Sequence, residues 1–242
     1  MEQEGKVALV TGGAARLGRA LSLALAGRGV RLAVHYGQSA GPAEETVAEI
    51  RGKGGVAEPF QADLRDISQV TGLVDRVAGR LGQVDILINS AAIFRPGDVA
   101  DTTEAGWDEH FATNLKAPFF LSRAFALHVG RERPGLIVNM ADWRGIRPGP
   151  HYLAYTLTKS ALIAMTQSLA LALAPNIRVN AIAPGAILPP PGGDDSYLEQ
   201  LARHIPLRRK GSPAEVVTAL DFLVASDFIT GQIVFVDGGE HL

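Results

Sequence analysis

KVALVTGGAARLG, residues 6–18, is a short apolar run that breaks into a Gly-rich turn. Leu17, Leu21 and Leu25 then recur at helical spacing as far as Gly29. Strand, Gly-rich turn and helix in that order form the opening unit of a dinucleotide-binding sheet. Glycines there let the backbone approach a pyrophosphate, and the helix N-terminus offers free N–H groups and a positive dipole end. Packing of an ordinary α/β crossover can require the same turn. The segment alone therefore leaves both readings open.

Further on, the chain keeps alternating. Strands are expected over Lys6–Val10, Arg31–His35, Val56–Gln61, Val84–Ile88, Leu136–Ala141, Ile177–Ala183 and Ile233–Val236. Val84–Ile88 is nearly continuous in apolar residues, as suits a central parallel strand buried on both faces. Helices are expected over Pro42–Arg51, Ile67–Leu81, Glu104–Val129, Tyr152–Ala174 and Ser196–His204. Pro118 suggests a kink or boundary in the long third one. Ser212-Pro213-Ala-Glu215 matches a capping box with Pro at the first helical position. This pattern predicts an α/β fold, a single Rossmann-like doubly wound parallel sheet of about seven strands with helices on both faces. One domain would span 1–242. The Pro/Gly-rich Ile187–Asp195 and the helix after it would form a substrate lid around 186–210.

Composition narrows the function. The chain has 242 residues, no cysteine and a net charge of −2, with acids and bases interspersed. Disulfides, thiolate metal sites and cysteine catalysis are excluded. No basic face for nucleic acid is visible. Ala161–Ala174, the longest nearly apolar stretch, carries Thr166, Gln167 and Ser168 and is too short to span a bilayer. The N-terminus does not read as a signal peptide. A cytoplasmic enzyme acting on a small molecule, without nucleic acid, membrane or metal, is the expectation.

The second informative stretch is 142–159, from Asp142 to Tyr155-x-x-x-Lys159. Residues four apart on a helix share a face, about 5–6 Å apart at Cβ. An ammonium there is expected to lower a phenol's pKa from its usual ~10 and ready it for proton transfer near neutral pH. Other polar residues fall at strand ends. An NAD site normally has an acid after the second strand for the ribose 2′-OH. None stands between Val30 and Ala43, where the chain reads His35-Tyr36-Gly37-Gln38-Ser39. Arg16 instead puts a guanidinium in the phosphate loop, where it could pair with an extra phosphate. That points to NADPH. Asp63 could accept from an adenine amino group or cap the helix starting near Asp66. Asn89 ends the central strand, and Phe94 follows in a loop, where it could also be a core aromatic. Asn114 is a poor interior helix residue, so either a polar role or an exposed position would explain it.

Thr11-Gly12 with Gly18, Asp63, Asn89, Asn114, Tyr155-x-x-x-Lys159, Pro184-Gly185 and Asp237-Gly238-Gly239 stand in an order and spacing that resemble the short-chain dehydrogenase/reductase family. That family usually has glycine where this chain has Arg16, and a catalytic serine where it has Asp142. Arg16-Leu17-Gly18, His35-Tyr36-x-x-Ser39 and Asp142 with Tyr152 and Tyr155 look like its pteridine reductase branch. The resemblance implies NADPH held by Gly12, Arg16, Leu17, Gly18, His35, Tyr36, Ser39, Asp63, Leu64, Asn89, Ser90, Ala91, Tyr155, Lys159, Pro184, Gly185 and Ile187. It implies a catalytic group of Asp142, Tyr155 and Lys159, with Asn114 positioning water or Lys159. A pterin would lie on Phe94 and meet Arg16, Asp142, Tyr152 and Tyr155. The branch often has serine where Ala92 and Ile187 stand here. A homo-oligomer, a tetramer, would follow from the family.

Asp142 also has a physical reading. A ketone oxygen gains negative charge in the transition state and needs a donor. An ionised carboxylate only accepts. It suits a substrate that presents N–H groups or becomes cationic, such as a pterin with its amidine edge. If Asp142 turned away it would be merely structural. A 3-oxoacyl thioester reductase and a non-enzymatic NADPH-binding regulator are the alternatives.

Overall fold

The computed structural model describes residues 3–190 and 192–242; Met1, Glu2 and Pro191, the last within the expected lid, lie outside it. Seven strands form one parallel sheet in the order β3-β2-β1-β4-β5-β6-β7. They are β1 Val7–Thr11, β2 Arg31–Tyr36, β3 Ala57–Gln61, β4 Val84–Asn89, β5 Gly135–Met140, β6 Ile177–Pro184 and β7 Ile233–Val236. Each lies within about one residue of its sequence expectation. β1 and β5 are buried at every position, which is why they read as unbroken apolar runs.

Helices α1 Arg16–Ala26, α2 Ala40–Gly52 and α8 Pro213–Ala225 cover one face, packing Leu21, Leu25, Ile50 and Leu220 on β1, β2 and β4. On the other face α3 Ile67–Leu81, α5 Ala117–Val129 and α6 Leu153–Leu173 contribute Leu73, Phe125 and Ala170. Two shorter helices, α4 Glu104–Phe111 and α7 Asp195–Ala202, complete the chain. α8 carries the expected capping box, Ser212 with Glu215. Asp66, not Asp63, caps α3 by accepting from Ser68 N–H.

The expected helix Glu104–Val129 is three pieces. A π turn at Ala112–Lys116 separates α4 from α5. Pro118 sits in the first turn of α5 and has no N–H to return to the carbonyl four residues back, that of Asn114, so the ladder changes pitch there. Among the described residues no helix is long and apolar enough to cross a membrane.

Strand order reverses around β1, whose neighbours are β2 and β4. The carboxyl ends there open a crevice, the usual ligand position in such sheets. Beneath it, Asn89 on β4 donates to Asn139 on β5 at 2.8 Å, and Asn139 donates to Thr166 on α6 at 2.9 Å. All three are buried. Asn139→Ala strands two buried polar groups, and a loss of about 2–4 kcal/mol in urea unfolding is expected. A loss below about 1 kcal/mol would show that water replaces the amide.

Candidate active site

The phosphate loop joins β1 to α1. A Cβ on Gly18 would stand 2.1 Å from Gly12 O, so only glycine fits where the helix starts against the loop. Ala15 caps α1 without a side-chain hydrogen bond, which leaves N–H groups of the first turn free for an anion. Arg16 holds φ +52°, a left-handed value costly for any side chain but glycine. Its guanidinium borders the cavity and donates to Pro189 O, within the segment expected as a lid.

His35 departs from the expected cofactor contact. It is 2% exposed, and its Nδ1 accepts from Gly12 N–H at 3.2 Å. Nε2–H is then free to donate to Ala62 O at 3.1 Å. Burial lowers its pKa to about 4. The imidazole pins the phosphate loop to β2 and β3 from within the core. Leu64 likewise packs in the core. Asp63 is engaged by its neighbour Arg65, whose Nε and terminal NH2 donate to the carboxylate at 3.0 and 2.7 Å. Tyr36, half-buried at the end of β2, and Ser39, exposed just beyond it, lie outside the cavity wall.

A cavity of about 440 Å³ runs along the carboxyl ends of β1, β4, β5 and β6. Gly12, Arg16, Leu17, Gly18, Ser90, Ala91, Phe94, Asp142, Tyr155, Lys159, Pro184, Gly185 and Ile187 line it. Asp142 follows β5 and starts a short 3₁₀ turn, Trp143–Gly145, with its Oδ1 accepting from Arg144 N–H at 2.8 Å. Its Oδ2 accepts from the Tyr155 hydroxyl at 2.8 Å. Asp142 therefore faces the site rather than turning away. Lys159, one turn along α6, is buried and donates to Met140 O at 2.6 Å.

These contacts reverse the expected pKa logic. Burial, and after it the charge of Asp142, pushes the Tyr155 phenol well above its ordinary range. Burial also brings Lys159 down from 10.5 to about 8, against the pull of Asp142. The lysine does not lower the phenol here, because desolvation and a carboxylate hydrogen bond both favour the neutral O–H.

Two further expectations change. Asn114, in the π turn, does not reach Lys159. Its Oδ1 accepts from Ile93 N–H at 2.8 Å and its Nδ2 donates to Ile93 O at 2.9 Å, clamping the loop that carries Phe94. Asn89 turns into the core, as described. Tyr152, at φ +60° before α6, is not on the cavity wall and stacks on Phe94 with ring centres 4.4 Å apart. One face of Phe94 is thus already covered. Arg144 and Glu240 line the cavity although nothing in the sequence pattern singled them out.

The His35 contact has a pH consequence. Its folded pKa lies below the unfolded 6.5, so the unfolded chain takes the proton first. The stabilisation is whole above pH 6.5 and drains away toward pH 4, by about 3 kcal/mol. His35→Asn keeps an acceptor for Gly12 and does not titrate. Urea unfolding at pH 7 and pH 4.5 is expected to show a smaller acid loss in the variant than in the native protein. Equal losses would contradict the buried neutral imidazole.

Residues 12–241 match a family model described as enoyl-(acyl carrier protein) reductase. The 3-oxoacyl-[acyl-carrier-protein] reductase of Staphylococcus aureus is 36% identical over 243 residues, covering 98% of each chain. The structure of FolM alternative dihydrofolate reductase 1 from Brucella suis in complex with NADP is 38% identical, with TM-score 0.94, over 100% of this chain and 96% of that one. A short chain dehydrogenase from Burkholderia cenocepacia, also in complex with NADP, is 34% identical, with TM-score 0.92, over the whole of both chains.

Proposed function

The chain belongs to the short-chain dehydrogenase/reductase family, and within it we propose an NADPH-dependent reductase that acts on the C=N bond of a pterin or dihydropterin. The observation that carries this is the Asp142 carboxylate bonded to the Tyr155 hydroxyl on the cavity wall.

The residues fit the cofactor. The close approach at Gly12 and Gly18 and the free N–H groups opening α1 suit a pyrophosphate. Arg16 supplies a cation for an additional phosphate, and the two solved relatives named above contain NADP. Lys159 and Tyr155 would hold the nicotinamide ribose. When bound, NADPH supplies the hydride.

The chain's own groups handle the proton. Reduction of C=O leaves an oxygen that needs a donor, whereas reduction of C=N leaves an N–H that is itself a donor. An acceptor-only carboxylate complements the second product and repels the first. Tyr155 holds the transferable proton. Lys159, where protonated, stabilises the phenolate left behind, and Asp142 orients the hydroxyl and accepts from the new N–H. Phe94 offers an aromatic wall for the ring. The enzyme is read as cytoplasmic and as a homo-oligomer, a tetramer, homo-oligomers being usual in the family.

A 3-oxoacyl thioester reductase is the second reading, favoured by the Staphylococcus aureus relative. NADPH oxidation with a dihydropterin and with an acetoacetyl thioester separates the two. The native protein is expected to turn over the dihydropterin. Asp142→Ser is expected to cut kcat/KM for it about 100-fold, the scale of a positioned acid–base group. Thioester turnover by the native protein with none on the pterin would overturn the proposal.

A further inference from the structure

Arg144 borders the cavity two residues after Asp142, yet proton transfer does not use it. Three cationic side chains line this cavity, Arg16, Arg144 and Lys159. Arg16 donates to Pro189 O, and Lys159 donates to Met140 O. The backbone N–H of Arg144 is taken by Asp142 Oδ1, but its guanidinium makes no hydrogen bond among the described residues. Asp142 Oδ1 stands 3.7 Å from Nη1, an ion pair longer than a hydrogen bond.

Aromatic rings hold the charge instead. Cζ lies 4.7 Å from the centre of the Trp143 ring, 5.8 Å from that of Phe94 and 5.7 Å from that of Tyr152. Such rings attract a guanidinium without filling its planar fork of N–H donors. The side chain is only 20% exposed, so little water is available to those donors. None of its nitrogens is sealed off by packing, however. The turn that carries Arg144 is fixed to α6. Ser160 donates to Gly145 O at 2.8 Å, and a Cβ on Gly145 would stand 2.7 Å from Ile163 Cδ1. Beyond the turn, Arg147 donates to Glu240 O at 2.9 Å. A donor set held ready in this way loses little freedom on meeting an acceptor.

We infer that Arg144 is the anion anchor of this site, pairing with a carboxylate carried on a short substituent of the substrate ring, next to the bond that is reduced. This rests on the pterin reading above. That reading puts the ring on Phe94 and the nitrogen of the C=N bond at Asp142 and Tyr155. Arg144 neighbours both, so a substituent on the adjoining carbon meets it. The guanidinium fork matches a carboxylate with two parallel N–H···O bonds. Standing between that carboxylate and Asp142, the cation also offsets their mutual repulsion. Asp142 sets which bond is reduced, and Arg144 sets which substituent the ring carries.

The test compares two 7,8-dihydropterins that bear at C6 either a 2-carboxyethyl group or its primary amide. The two differ in charge and hardly in shape, and the methylenes insulate the reacting bond from that difference. In the native protein the carboxylate is expected to have a KM about tenfold lower, the scale of one charge-assisted pair. Arg144→Met keeps an unbranched stem against Trp143 and removes charge and fork. It is expected to bring the two KM values together, chiefly by raising that of the carboxylate. Arg144→Lys, with charge but no fork, is expected to fall between. Thermal melting and NADPH binding report whether either variant has kept its fold. Equal KM values for the two compounds in the native protein would overturn the anchor, whatever the variants do, and leave the pterin reading intact. A KM ratio unchanged in folded Arg144→Met would do the same. No turnover of either compound by the native protein would overturn both.

Discussion

The hydrogen bond from the Tyr155 hydroxyl to Asp142 Oδ2 is the contact on which the rest of the site depends. It decides three things together. It fixes the phenolic proton, since the phenol keeps its hydrogen through burial and the neighbouring carboxylate. It fills the donor position of a carbonyl reductase with a group that only accepts. It also commits one Asp142 oxygen, leaving other recognition to other residues. A buried phenol without a partner would be costly; the half-buried Asp142 carboxylate supplies one.

The fold exists around this pair in a concrete sense. Asp142 leaves the end of β5, and Tyr155 begins α6, thirteen residues on. The two are brought together because α6 returns antiparallel to β5 and packs across β5 and β6. Lys159 fastens the same corner by donating to Met140 O, the last residue of β5. Asn114 fixes the opposite wall by holding both backbone groups of Ile93. Local strain gathers here too, with Arg16 and Tyr152 both at positive φ. Strained non-glycine residues persist only where surroundings over-determine them, and they concentrate at working sites.

The architecture was legible in the sequence because parallel strands buried on both faces leave apolar runs, and Gly and Pro mark the turns between them. The π turn at Ala112–Lys116 was not, since only Pro118 hinted at a change of pitch. Within the site, spacing identified which residues reach the strand ends but not which way they face. His35, Asn89 and Leu64 each stand at or just past a strand end as a cofactor contact should, yet their side chains point inward. Their work is to pin the loop or fill the core. The Tyr155–Lys159 spacing was read correctly and its electrostatics were not, because helical periodicity carries no information about desolvation. Arg144 and Glu240 left no periodic trace. Arg144 is placed by a 3₁₀ turn, and Glu240 by Arg147 donating to its carbonyl.

The most direct test is a tyrosinate titration, following phenolate absorbance against pH in the native protein and Tyr155→Phe, with Asp142→Asn as the third sample. The difference between the first two isolates Tyr155. The phenol is expected to stay protonated past pH 10, and Asp142→Asn to bring its ionisation down toward the ordinary value. A Tyr155 that ionises below pH 10 in the native protein, unmoved by Asp142→Asn, would contradict the account.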